Sequence, residues 1–93
     1  MKIKALNHNI NIVQGTGFIQ YPYFNVNYAS STIVIGNNIP MDGENVDKEL
    51  LNQVIVKGIV QILNHYYNGL GQNGNIVYDW LISKTNVLKE VKG

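Results

Sequence analysis

The chain has 93 residues, 45% of them apolar, and a formal net charge of +1 from seven lysines against six acids, with no arginine and no cysteine. A chain of this length buries roughly 60–65% of its unfolded surface in one core, so residues 1–93 are expected to form a single domain. Without cysteine there is no disulfide framework, thiolate zinc site or cysteine nucleophile, and the lack of arginine, the usual bidentate reader of phosphate and guanine, argues against a nucleic-acid partner.

No run of apolar residues reaches the ~18 of a membrane span, and none follows Lys2 and Lys4 as in a signal peptide. The expectation is a soluble, cytoplasmic protein with no membrane partner. Fourteen asparagines stand mostly singly between apolar residues, which reads as neutral polar surface rather than a low-complexity tract.

Taken in order, Lys2 to Leu6 and Ile10 to Gln14 predict a β-hairpin. Ile3 and Ala5 alternate with lysines, Ile10 and Ile12 flank Asn11, and Asn7-His8-Asn9 supplies the turn. His8 is expected at its exposed tip. Gly15-Thr16-Gly17 reads as a turn, since a lone glycine-x-glycine lacks the rest of a phosphate loop. Phe18 to Phe24 follows, with Tyr21, Tyr23 and Phe24 around Pro22. Tyr21-Pro22-Tyr23 is either a recognition surface or a cap on the open end of the sheet. Phe24, Val26 and Tyr28 alternate with Asn25 and Asn27 and predict a strand, Ser30-Ser31 a turn, and Thr32 to Ile35 its partner. The sheet is expected within residues 1–36.

A central helix is predicted over residues 45–68. Leu51, Ile55, Ile59, Ile62 and Tyr66 recur at spacings of three and four, and Val56, Val60 and Leu63 widen the stripe. Asn45 or Asp47 is placed to cap it, with Glu44, Asp47 and Glu49 near the positive end of its dipole. Val54-Ile55-Val56 is a β-branched run of poor helix propensity, but no break interrupts the segment. Gln53, Lys57, Gln61, Asn64 and Asn68 form a polar line along one face. After a glycine-rich link, a second helix is predicted over residues 75–91, with Ile76, Val77, Trp80, Leu81, Val87 and Leu88 as its apolar stripe. The order predicts an α+β fold: an antiparallel sheet of four strands, then two helices, the first packed on one face.

In this order of elements, in the strand pair FNVNYASSTIVI and in the phase of apolar residues in VIVKGIVQIL, the chain resembles small zincin-like metallopeptidases, many of them encoded by phages and mobile elements. In that family a histidine-glutamate-x-x-histidine motif lies on the helix after the loop. The matching positions here are Lys57-Gly58-Ile59-Val60-Gln61, so Lys57 and Gln61 stand where the resemblance implies metal-binding histidines, and Gly58 where it implies the general base. Asp79 falls in the family's third-ligand region. A zinc site needs neutral imidazoles one turn apart and a carboxylate to take a proton from bound water. Lysine is a cation and glycine has no base, so the resemblance implies a pseudoenzyme with no metal and no cofactor.

No other catalytic pattern emerges. His65 reads as a partly exposed residue near a helix end, Ser30, Ser31 and Ser83 have no nucleophile context, and Asp47 and Glu49, two apart, do not face each other. The leading expectation is a non-catalytic protein-interaction module, in the setting of a phage or mobile element an inhibitor of a host defence protein, contacting its partner through Tyr21, Tyr23, Phe24 and Asn64. The alternatives are a ligand binder or enzyme using a remodelled cleft at Lys57, Gln61, Asn64 and Asp79, and a homo-oligomer pairing through an edge strand or the aromatic segment.

Overall fold

A computed structural model of the chain describes residues 1–67. Its elements are β1 (Lys2–Ala5), β2 (His8–Gln14), β3 (Phe24–Asn27), β4 (Thr32–Ile35) and α1 (Lys48–Tyr67). The expected helix over 75–91, and Asp79 with it, lies outside the described residues.

The first hairpin turns at Leu6 and Asn7, both in the left-handed region with φ of 47° and 71°. Two successive residues of this kind give the connection whose twist matches that of the strands. His8 and Asn9 therefore belong to β2, which corrects the expected tip at residues 7–9. Asparagine adopts this conformation readily, and Leu6 adopts it while packing against the core.

Strand order is β1-β2-β4-β3, antiparallel for β1 with β2 and β3 with β4, but parallel for β2 with β4. The sheet is thus mixed, not wholly antiparallel as expected. The connection after β2 passes the end of β4, so the second hairpin enters with β4 against β2. Burial accounts for the arrangement. Thr32-Ile33-Val34-Ile35 is the more apolar strand of that pair and takes the interior position, where both edges are paired. Phe24-Asn25-Val26-Asn27, with its asparagines exposed, takes the edge.

In this register Ile3 stands opposite Ile10, Ile12 opposite Ile33, Val26 opposite Ile33 and Phe24 opposite Ile35, all on one face. The other face carries Lys2, Lys4, Asn9, Asn11, Asn25, Asn27 and Thr32, because alternate residues point to opposite sides. Helix α1 covers the apolar face, touching β3 and β4. Its start is capped by Asp47, whose Oδ1 accepts the Leu50 N–H at 3.1 Å and whose C=O accepts that of Leu51 at 2.9 Å. Leu51, Val54, Ile55, Ile59, Ile62 and Leu63 are buried. The β-branched run is helical because burying each such side chain is worth about 1.5–3 kcal/mol, against a propensity penalty below about 0.7 kcal/mol per residue.

Gly58 packs directly against Ile33 of β4. A Cβ added there would lie 2.7 Å from Ile33 Cδ1 and 3.0 Å from its Cγ2. The loop from β4 to α1 is held by Gln14 at the end of β2. Its Nε2 donates to the C=O groups of Gly36 (2.8 Å), Ile39 (3.2 Å) and Ile35 (3.3 Å), and its Oε1 accepts the Met41 N–H at 2.7 Å. Among the described residues no helix is long and apolar enough to cross a membrane.

Candidate functional site

Of the polar line expected on α1, Gln53, Lys57, Gln61 and Asn64 are all exposed, and Asn68 lies outside the described residues. Of the positions aligned on the metallopeptidase motif, Lys57 and Gln61 lie on this line, whereas Gly58 is buried against Ile33. Lys57 is not a bare solvated cation. Its Nζ donates to the Tyr21 hydroxyl at 3.2 Å and lies 4.9 Å from the centre of that ring, a cation–π geometry worth about 0.5–1 kcal/mol at an exposed site. Among the described residues no three His, Asp or Glu side chains converge as metal ligands.

Tyr21 belongs to the connection between β2 and β3, and here the structure separates the aromatics that the sequence groups together. Tyr21 is 71% exposed and Phe18 68%, but Phe24 is only 3% exposed and part of the core. Phe24 therefore cannot serve as the contact residue expected of it, because its place in β3 turns the ring beneath α1. Tyr23 is half-buried, with φ 79° after the cis Tyr21-Pro22 peptide, and meets Tyr21 edge-on at 5.7 Å.

The connection is braced. Asn37 Nδ2 donates to Thr16 C=O and the Asn37 N–H to Gly17 C=O, both at 2.9 Å, while Asn38 Oδ1 accepts the Ile19 N–H at 3.2 Å. Gly36 permits this approach, since a Cβ there would fall 2.9 Å from Ile19 Cβ and 2.5 Å from Asn38 Oδ1. Phe18 and Tyr21 are thus displayed on a loop fixed to the rest of the fold. The alternation that begins at Phe24 and is missing around Phe18 is the one local signal that separates the buried ring from the exposed one.

A second group of rings lies at the opposite end of the sheet, where the two hairpin turns meet the last turn of α1. His8 stacks on Tyr66 at 4.6 Å, His65 stacks on Tyr28 at 4.2 Å, and His65 meets Tyr66 edge-on at 5.3 Å. The Tyr66 hydroxyl donates to Tyr28 C=O at 2.6 Å and lies 3.3 Å from Ser31 Oγ. His8, expected as an exposed turn residue, is half-buried in this cluster. The grouping ties α1 to both hairpins, and its members are too far apart in the chain for any local pattern to show it.

Charge is distributed unevenly around these features. From Ala5 to Met41 the chain contains no lysine, aspartate or glutamate, and the acids Asp42, Glu44, Asp47 and Glu49 follow at once. The uncharged stretch includes β2, β3, β4 and the displayed aromatics. The lysines of β1 lie elsewhere, in an open depression of about 460 Å³ lined by Lys2, Ile3, Lys4, Asn9 and Asn11.

No protein-family model, curated protein or solved structure matches the chain. Over the described residues the fold defines the class: an α+β arrangement in which one helix covers a mixed sheet of four strands.

Proposed function

We propose that the chain is a non-catalytic protein-interaction module that meets its partner through Phe18 and Tyr21. The observation that carries this reading is the exposure of both rings, 68% and 71%, on a hydrogen-bonded loop within a stretch of the chain that has no lysine, aspartate or glutamate. Interface cores are enriched in aromatics and depleted in charge. Aromatic rings also lose little conformational entropy on contact, and a braced loop loses less still. Lys57 contacts the Tyr21 ring from the helix side and supplies a cation at the margin of the patch. The likeness to a metallopeptidase scaffold belongs to this proposal. With Lys57 and Gln61 in place of histidines, such a scaffold serves binding instead of hydrolysis, as suits a phage or mobile-element protein directed at a host protein.

A photo-crosslinking residue at Phe18 tests the proposal in the cells that make the protein, with Asn9 on the outer sheet face as the control position. The expected result is one protein adduct from position 18, none from position 9, and at least a roughly tenfold loss of affinity for that partner on Tyr21→Ala. Equal labelling from both positions, or stoichiometric zinc together with peptide cleavage, would overturn it.

A further inference from the structure

The two edges of the sheet differ in kind. Edge strand β1 carries Lys2 and Lys4, the charges that keep an edge from pairing with another chain. Edge strand β3 carries none, and among the described residues no strand lies beyond it.

The hydrogen bonds determine which backbone groups of β3 face outward. Just before β4, Ser31 C=O accepts from the Asn11 N–H at 2.9 Å, and at its end Ile35 C=O accepts from the Gly15 N–H at 2.6 Å. Odd-numbered residues of β4 thus turn towards β2, and even-numbered ones towards β3. The Gly36 N–H bond to Tyr23 C=O at 2.9 Å has the same phase. Since Thr32 and Val34 stand opposite Asn27 and Asn25, those asparagines bond to β4. The N–H and C=O groups of Phe24 and Val26 are left pointing away from the sheet.

The sequence around this edge reads alike in both directions. Phe24-Asn25-Val26-Asn27-Tyr28 is aromatic, amide, aliphatic, amide, aromatic. A two-fold axis at Val26 sets Val26 against Val26 of a second copy and Asn25 against its Asn27, with Phe24 alongside its Tyr28, which lies just beyond the end of β3 and whose C=O is held by Ser31 N–H and the Tyr66 hydroxyl. Val26, at the centre, is also a residue whose backbone donor and acceptor face outward, so the two valines exchange both hydrogen bonds. Self-complementarity of this kind is what a two-fold interface between identical chains requires. We infer that two copies of the chain pair antiparallel through β3 about a two-fold axis at Val26, joining their sheets edge to edge. A strand of four residues makes a small interface, so the pairing is concentration-dependent.

Sedimentation equilibrium of the full chain, from about 10 μM to about 1 mM, covers the range in which so small an interface dissociates. The expected result is a monomer–dimer equilibrium, with amide exchange at Val26 slowing as the dimer fills. Asn25→Lys with Asn27→Lys places like charges opposite each other twice and weakens the dimer about tenfold or more. Asn25→Lys with Asn27→Glu makes both pairs attractive in this register alone, and restores the dimer. A wild-type chain monomeric throughout overturns the inference, as does a dimer on which the two double variants act alike. The exchange measurement needs no variant, and a dimer that leaves Val26 exchange unchanged overturns it as well.

Discussion

Gly58 shows how one position takes its meaning from its neighbour across the fold. The resemblance to metallopeptidases would set it at a general-base position; in the structure it packs against β4, with Ile33 filling the space a side chain would need. Gly58→Ala sets two effects against each other. Alanine gains up to about 1 kcal/mol in helix propensity, while an added methyl in a packed core costs about 1–3 kcal/mol. Ile33 is fully buried and its Cγ2 and Cδ1 both lie too close to yield without disturbing the sheet, so the packing loss wins. The expected outcome is a net destabilisation of about 1–2 kcal/mol, seen as a fall in Tm of roughly 5–15 °C in a domain of this size. An unchanged or higher Tm would show that the helix stands farther from β4 than described.

At the scale of elements, the loop between β4 and α1 is shaped by a side chain from β2. Gln14 bonds the carbonyls of Ile35, Gly36 and Ile39 and the amide of Met41; the first two carbonyls also accept the Gly15 and Ile39 N–H groups, so Ile39 C=O and the Met41 amide depend most on this side chain. Gln14→Ala leaves them to water, and since the site is partly open the expected loss is about 1–2 kcal/mol rather than the full burial penalty. Amide exchange separates this from general unfolding: Met41 accelerates most, while the amides of β2 and β4 slow or quicken only with global stability. Because the same loop braces the Phe18 and Tyr21 connection through Asn37 and Asn38, Gln14→Ala is also expected to weaken partner binding without touching either ring.

At the scale of the molecule, the His8, Tyr28, His65 and Tyr66 cluster joins the two hairpins to the end of α1. Tyr66→Phe keeps the stacked rings and removes only the hydroxyl that bonds Tyr28 C=O and approaches Ser31. A loss of about 1 kcal/mol is expected, read in urea as a lower midpoint with an unchanged slope, since the area exposed on unfolding stays the same. The two ends of the sheet thus differ: one ties α1 to both hairpins through stacked rings, and the other carries the exposed rings of Phe18 and Tyr21 on a braced loop.

The strands β1, β3 and β4, the helix α1, its Asp47 cap and the face each element buries are all legible in the sequence. They rest on periods of two and 3.6 residues and on capping chemistry within one turn, which are local properties. The two-residue turn escaped because Leu6 carries no turn chemistry of its own. The parallel pairing of β2 with β4, the seat of His8 and the contact of Gly58 with Ile33 were decided only by the tertiary structure. Each depends on residues well separated along the chain competing for the same apolar space, and periodicity within one segment carries no information about what lies across from it.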